Sequence, residues 1–449
     1  MIISRPVASL LIVAALCAEE AVPTPAPAPA AELIAAPAAQ GLTMQQAIAL
    51  ALARNETPEI ALARIEKAEA TIARATAALR PSIMLGGSLS TNDQDRVPYG
   101  GSANETTAWS ASAEMALLRA SAWSGLAAAK YAMKAQQLES LELKRVLAYA
   151  VGSIFLNVLA AERQVIAATN RLEVSRASVA DAKARLQAGL STRTDVTRAE
   201  LEESTALLSV TRARNFVVSS RLALADLIVA PVEGAIEVPA DIEVPSREGD
   251  VLGRLALAYR ADLRALQYRE AAADQNVRAA YGRWVPDLTA RAEYGQFETN
   301  DPARAAADKT ADITLSLVAS WALYDGGDRS GALDQAQADR REIGLSRTQQ
   351  LRGLRKELLT ALANLETAEA TVAQAEARDR LARANAEEVR ARYKQGLATA
   401  LEDADAISSQ FEAESGLVTA RLDLARTKLS LRDLAGLWPL SDREPVGQQ

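Results

Sequence analysis

The apolar residues of this 449-residue chain follow two rhythms. Over 124–188, Leu138, Leu141, Val146, Tyr149, Ile154, Phe155, Val158 and Val165 recur at helical spacing with small residues between them. That predicts one helix about 97 Å long at ~1.5 Å per residue. Such a length fits a coiled-coil seam or a layered wall of helices rather than a compact core. Over 312–323 the period is two. Ile313, Leu315, Leu317, Ala319, Trp321 and Leu323 share one face, and Thr314, Ser316, Val318, Ser320 and Ala322 share the other. The same alternation runs through 287–296 (Leu288, Ala290, Ala292, Tyr294), through 107–118 (Trp109, Ala111, Ala113, Met115, Leu117) and, less cleanly, through 82–90 (Ile83, Leu85, Gly87, Leu89).

Prolines separate these segments. Two long stretches, 99–230 and 303–438, contain none. On either side of the Pro-containing segment 231–248 the halves align in order. Ala78-Leu79-Arg80-Pro81 matches Arg283-Trp284-Val285-Pro286. Ser90-Thr91-Asn92-Asp93 matches Glu298-Thr299-Asn300-Asp301. Met115-Ala116-Leu117-Leu118 matches Trp321-Ala322-Leu323-Tyr324, and ARLQAGLST (184–192) matches ARYKQGLAT (391–399). Ordered matches at a near-constant offset predict a tandem repeat. The first copy, 42–230, reads as a helix over 43–80 capped by Thr43 and broken near Pro58, strands 82–90 and 107–118, and helices 124–188 and 191–229. The second, 249–436, reads as helix 249–283, strands 287–297 and 311–324, and helices 329–395 and 399–435. A connector over 231–248 and a tail over 437–449 complete the plan.

Composition narrows the chemistry. Ala, Leu, Glu, Arg and Gln dominate and aromatics are only 4%, which favours long, closely packed helices over an aromatic-rich globular core. The formal charge of -7 leaves no basic footprint for nucleic acid. With no His and Cys17 as the only Cys, Cys- or His-ligated zinc, Cys–His catalysis and an internal disulfide are excluded. No phosphate-binding glycine loop or catalytic constellation stands out, so neither a cofactor nor an enzymatic activity is expected.

The first residues read as an export signal, 1–17: Arg5, then an apolar run from Val7 to Leu16 too short to span a bilayer. Cys17 follows at once, a candidate lipidation site, although Leu16 stands where such sites carry a small residue; plain cleavage nearby is the alternative. Residues 18–41 form a Pro- and Ala-rich spacer. An exported chain without a further long apolar run must enter a membrane through its strands, whose lengths suit a tilted β-span. The same alternation also fits an ordinary sheet with one buried face. The aromatics Trp109, Trp284, Phe297, Trp321 and Tyr324 flanking the strand pairs favour the membrane. Four strands cannot close a barrel, so chains must associate; three would supply twelve strands.

The segment SLVASWALYDGGDRSGALDQAQAD (316–339), the duplicated Gly-Leu turns, the helix-Pro-strand junctions at Pro81 and Pro286, and AYAVGSIFLNVLAAERQ (148–164) together resemble the outer-membrane efflux protein (TolC) family across 42–436. The resemblance implies a mostly α homotrimer: four strands per chain in a twelve-stranded barrel embedded in outer-membrane lipid, continuous with an α-helical barrel crossing the periplasm. It implies action with an inner-membrane transporter and a periplasmic adaptor, without catalysis. The alternative class is an exported coiled-coil scaffold or a periplasmic adaptor with no pore. Ala116–Ala122 lacks the Asp-Gly-Gly of the corresponding junction in the second copy.

By the same resemblance, Gly189-Leu190-Ser191-Thr192 and Gly396-Leu397-Ala398-Thr399 are adaptor-docking turns at the periplasmic tip. Glu402 and Asp405 are then a pore-lining acidic pair, with Tyr393 near the same constriction. Local chemistry accounts for the turns on its own: Gly ends a helix in the left-handed conformation, and Thr192-x-x-Asp195 and Thr399-x-x-Glu402 read as capping boxes. Glu402 and Asp405 share a helix face, and threefold symmetry would turn them into two rings attracting cations. Alternatively they compensate a helix dipole. Ala398 stands where the family can carry an Arg.

Overall fold

The computed structural model describes residues 41–91, 105–239, 241–299 and 311–441. Cys17, the export signal, most of the spacer, residues 92–104 and 300–310, and residues 442–449 of the tail lie outside them. The chain runs α1 (Met44–Arg54), α2 (Glu56–Ala77), β1 (Ser82–Thr91), β2 (Glu105–Leu118), α3 (Ala120–Gln187), α4 (Arg193–Ile228), α5 (Gly249–Tyr259), α6 (Ala261–Gly282), β3 (Asp287–Thr299), β4 (Ala311–Ser320), α7 (Asp328–Lys394) and α8 (Ala400–Leu434). Helix, helix, hairpin, long helix and shorter helix therefore occur twice. The two long helices, of 68 and 67 residues, are each about 100 Å long at ~1.5 Å per residue.

Most ends move by a few residues, as where α3 starts at Ala120 rather than at 124, and three departures from the sequence reading are larger in consequence. The first break falls at Asn55, not at Pro58, which sits harmlessly in the first turn of α2. Asn55 is extended; its Oδ1 accepts from Thr57 N at 2.9 Å while its Nδ2 donates to Leu227 O at 3.0 Å. An equivalent break at Arg260 splits the helix expected over 249–283. Here the chain is held extended from outside, where Gly436 packs so closely that a Cβ would lie 2.7 Å from Arg260 N. Finally, β4 stops at Ser320 although the alternation continues to Leu323. Trp321 Nε1 instead donates to Trp284 O at 3.1 Å, and Gly326 and Gly327 (φ +68° and +95°) turn the chain into α7.

The four strands form one antiparallel sheet in the order β1-β2-β3-β4. Its register sorts the four separate alternations into two faces. Ile83 lies opposite Ala113, Ala113 opposite Ala292, and Ala292 opposite Leu315; one step along, Leu85, Ala111, Tyr294 and Ile313 align. On the other face Ser82, Glu114, Arg291 and Ser316 align, and Arg291 pairs with Glu293 at 3.3 Å. Among the described residues nothing covers the apolar face: Ile83 is 83% and Leu315 79% exposed. Trp109 folds its ring over Gly87, where a Cβ would come within 2.8 Å of it.

Near the sheet α3 packs against α2 and α6; towards the far end it packs against α4 and α8. The main core lies between, at a waist. There Met44, Ile48 and Ala51 of α1 meet Leu147, Val151, Phe155 and Val158 of α3, Leu224 and Ile228 of α4, and Ile236 of the connector. Within the second repeat, Leu252 and Ala256 of α5 bury against Leu354, Leu358 and Leu365 of α7. One 18-residue window of α3 reaches a mean hydropathy of 1.5, apolar and long enough to cross a membrane, but half of it is buried inside the fold.

Candidate functional site

The far end of the helical wall is built by two turns of one design. Helix α3 closes with Leu190 N donating to Arg185 O at 2.8 Å and Gly189 N to Leu186 O at 3.0 Å. Helix α7 closes identically, Leu397 N to Arg392 O at 2.8 Å and Gly396 N to Tyr393 O at 3.0 Å. Gly189 and Gly396 sit at φ +72° and +79°, where a Cβ would be strained. Both capping boxes then form. Thr192 N donates to Asp195 Oδ2 at 2.9 Å and Asp195 N to Thr192 Oγ1 at 3.3 Å; Thr399 N donates to Glu402 Oε2 at 2.6 Å and Glu402 N to Thr399 Oγ1 at 3.2 Å. Leu190 and Leu397 project into solvent beside them.

The three acids at the start of α8 part company. Glu402 is exposed, and the Thr399 amide and hydroxyl hold its carboxyl below the usual carboxylate range. Asp405, one turn on, is exposed as well. Asp403 points the other way. It is 2% exposed, accepts from Ser178 Oγ of α3 at 2.7 Å through Oδ2, and leaves Oδ1 without a protein partner.

Tyr393 is buried, 5% exposed, with the Arg185 guanidinium 4.4 Å from its ring centroid; Arg185 also donates to the Tyr393 carbonyl. Burial raises the Tyr393 hydroxyl above its ordinary value, against the lowering influence of Arg185. Arg390 Nη2 donates to Val174 O at 3.0 Å. Within one chain, then, the structure brings both turns and Tyr393 to the same end. It leaves Glu402 and Asp405 facing out, turns inward Asp403, whose facing the sequence left open, and adds Arg185 and Ser178, which the sequence reading did not single out. A signal existed for Arg185: it occupies the position that Arg392 holds in the second copy. The duplication does not say which of the two reaches across. Arg392 pairs instead with Glu388 of its own helix at 2.7 Å.

This duplicated architecture has known counterparts. Residues 47–228 and 252–437 both match the family model described as outer membrane efflux protein. The chain belongs to this family. Among its relatives, the outer membrane efflux protein BepC of Brucella suis is 26% identical over 277 residues, a match spanning 61% of this chain and 60% of BepC. The pyoverdine export outer membrane protein OpmQ of Pseudomonas putida is 27% identical over 344 residues, 70% of this chain and 68% of OpmQ. Solved structures share the fold. CusC matches with a TM-score of 0.77 at 17% identity, covering 88% of this chain and 92% of CusC. The MtrE outer membrane channel of Neisseria gonorrhoeae, in its open state, matches with 0.75 at 19% identity, covering 90% and 91%. As an outer membrane efflux protein, the chain places its sheet in the outer membrane and its helical wall in the periplasm.

Proposed function

We propose that the protein is the exit duct of a tripartite efflux or secretion system. Three copies close twelve strands into a barrel, and substrates pass without catalysis from an inner-membrane transporter and a periplasmic adaptor to the outside. The sheet register carries this reading. One chain presents an uncovered apolar face and two unpaired strand edges, β1 and β4, and in a bilayer every edge must be paired. Gly189–Thr192 and Gly396–Thr399 are the adaptor-docking turns: rigidly closed, capped, and exposed at their leucines. Glu402 and Asp405, exposed on α8, form two acidic rings on the pore axis, with Tyr393 packed behind them. The Thr399 amide and hydroxyl, by holding the Glu402 carboxyl below the usual carboxylate range, favour its charged form.

The test is fractionation of expressing cells, followed by an unheated gel of the outer membrane and conductance in planar bilayers. A heat-sensitive trimer that conducts is expected; a soluble monomer would sink the duct. For the rings, Glu402→Ala with Asp405→Ala should lower cation preference and relieve block by multivalent cations. Unchanged values remove the two acids from the pore.

A further inference from the structure

We propose that the upper half of the helical wall joins the next copy through a charge-matched seam, in which α2 of one copy lies antiparallel against α7 of its neighbour. The proposal rests on the duct reading and adds which helix surfaces meet, in what register, and why a second copy fits them. Between waist and sheet α3 packs against α2 and α6, and α6 packs against α7, so the helices stand in the order α2-α3-α6-α7 beneath β1-β2-β3-β4. The two edges of this layer are therefore α2 and α7. They continue the sheet edges directly, since α2 leads into β1 and β4 leads into α7. One side of each edge helix serves its own chain. Pro58 and Ala61 of α2 are buried, and Arg340 and Arg347 of α7 pair with Asp274 and Glu270 of α6. The other side is exposed and charged: Arg74, Glu66 and Glu56 on α2, and Asp334, Arg341 and Arg352 on α7. Among the described residues none of these six has an ion-pair partner, in contrast to Arg340 and Arg347.

The signs match level by level. Helix α2 climbs to the sheet and α7 descends from it, so heights count back from Ala77 and forward from Asp328. Arg74, Glu66 and Glu56 lie 3, 11 and 21 residues before the end of α2; Asp334, Arg341 and Arg352 lie 6, 13 and 24 residues after the start of α7. A near-constant offset of two or three residues, about 3–5 Å of rise, sets Arg74 against Asp334, Glu66 against Arg341 and Glu56 against Arg352. The same offset brings Leu62 to Leu345, 15 and 17 residues from those ends, and each is exposed within its own chain, at 54% and 71%. Two different edges of one chain thus complement each other, the kind of contact that propagates head to tail around a closed ring. Exposed pairs are individually weak and screened by salt, but each recurs at every seam, and opposite signs at three levels fix partner and register more than strength.

The experiment follows the full-length protein in the outer membrane on unheated gels at low salt. Glu66→Arg and Arg341→Glu, each alone, set like charges face to face at every seam and should cut the trimer band at least about two-fold. Glu66→Arg with Arg341→Glu in one chain restores opposite signs and should recover the band. Glu66→Cys with Arg341→Cys, treated with a short bismaleimide, should yield chains linked in twos and threes on a denaturing gel, and either cysteine alone should not. Single variants that match the wild type, a swapped chain that recovers nothing, or a double-cysteine trimer that forms no links would each overturn the seam while the duct stands. If a single variant never reaches the membrane, the swapped chain still decides: recovery supports the seam and continued loss overturns it. A wild type that is a soluble monomer overturns the duct and the seam together.

Discussion

Arg145, buried at the waist, offers the sharpest test of how the helical wall is held together. Its Nη1 donates to Asp433 Oδ1 at 2.7 Å, to Asp433 O at 3.0 Å and to Leu437 O at 3.3 Å; its Nε donates to Glu142 Oε2 at 3.0 Å and its Nη2 to Glu142 Oε1 at 2.5 Å. Tyr149 lies under it, 5.3 Å from guanidinium carbon to ring centroid, and donates its hydroxyl to Leu437 O at 2.7 Å. One cation thus ties α3 to the end of α8 and to the strap that follows. Arg145→Met keeps most of the apolar stem and deletes the charge. Removing one side of a buried pair costs about 3–5 kcal/mol, because the remaining groups stay desolvated. Asp433 is 41% exposed, so water recovers part of its solvation and the loss falls near the lower bound, about 3 kcal/mol. That is roughly a hundredfold in the folded-to-unfolded ratio. Urea unfolding of the purified protein, followed by circular dichroism, measures it. Glu142→Gln added to Arg145→Met removes the stranded buried acid and should recover part of the loss. A loss below about 1 kcal/mol for Arg145→Met, the range of an exposed pair such as Arg247–Glu369, would refute the reasoning, as would a double variant less stable than the single one.

Further outcomes follow from other places in the fold. Leu315→Arg puts a charge on the lipid-facing side of the sheet and should cost about 2–4 kcal/mol and most of the trimer in the outer membrane, whereas Thr314→Arg on the opposite face should still assemble; gel band intensities compare the two. In Gly282→Ala the new Cβ would lie 2.6 Å from Ser121 N and 2.9 Å from Ala120 C, both backbone, so relief needs a shift between α6 and α3, and about 1–3 kcal/mol should be lost in urea unfolding. Asp262 is held below the usual carboxylate range: burial opposes its charge, but the Arg260 hydrogen bonds at 3.1 and 2.7 Å prevail. A depressed folded-state pKa stabilises above the unfolded value, about 4, and that contribution is lost as pH falls through the folded value. The stability gap between wild type and Asp262→Asn should therefore be full at pH 7 and shrink below about pH 4; a gap that does not change with pH contradicts this.

Most of the architecture was legible along the chain because its determinants are local. Helical spacing over 124–188, strict alternation in the strands, glycine stops at 189 and 396 and threonine caps at 192 and 399 each depend on residues a few positions apart. The duplication made every such signal readable twice. The strand count pointed to an association of three chains, and the family resemblance implied the partners, which no local pattern contains.

Contacts between distant segments decided the rest. Arg185 and Arg392 hold the same place before a Gly-Leu turn in the matched segments, yet one reaches the opposite hairpin and the other bonds to its own helix. Asp403 turns inward between two acids that stay outside, because Ser178 of another helix meets it there. Arg260 breaks a helix that its own neighbours would continue, because Gly436 occupies the space beside it. Periodicity assigns each residue to a face, but what that face meets depends on how helices and strands far apart in sequence pack. The sequence by itself thus determined the elements, their caps and their repetition. The tertiary structure alone decided which charges are buried, which helices break and which side chains hold the two hairpins together, since burial and pairing energies exist only once distant surfaces meet.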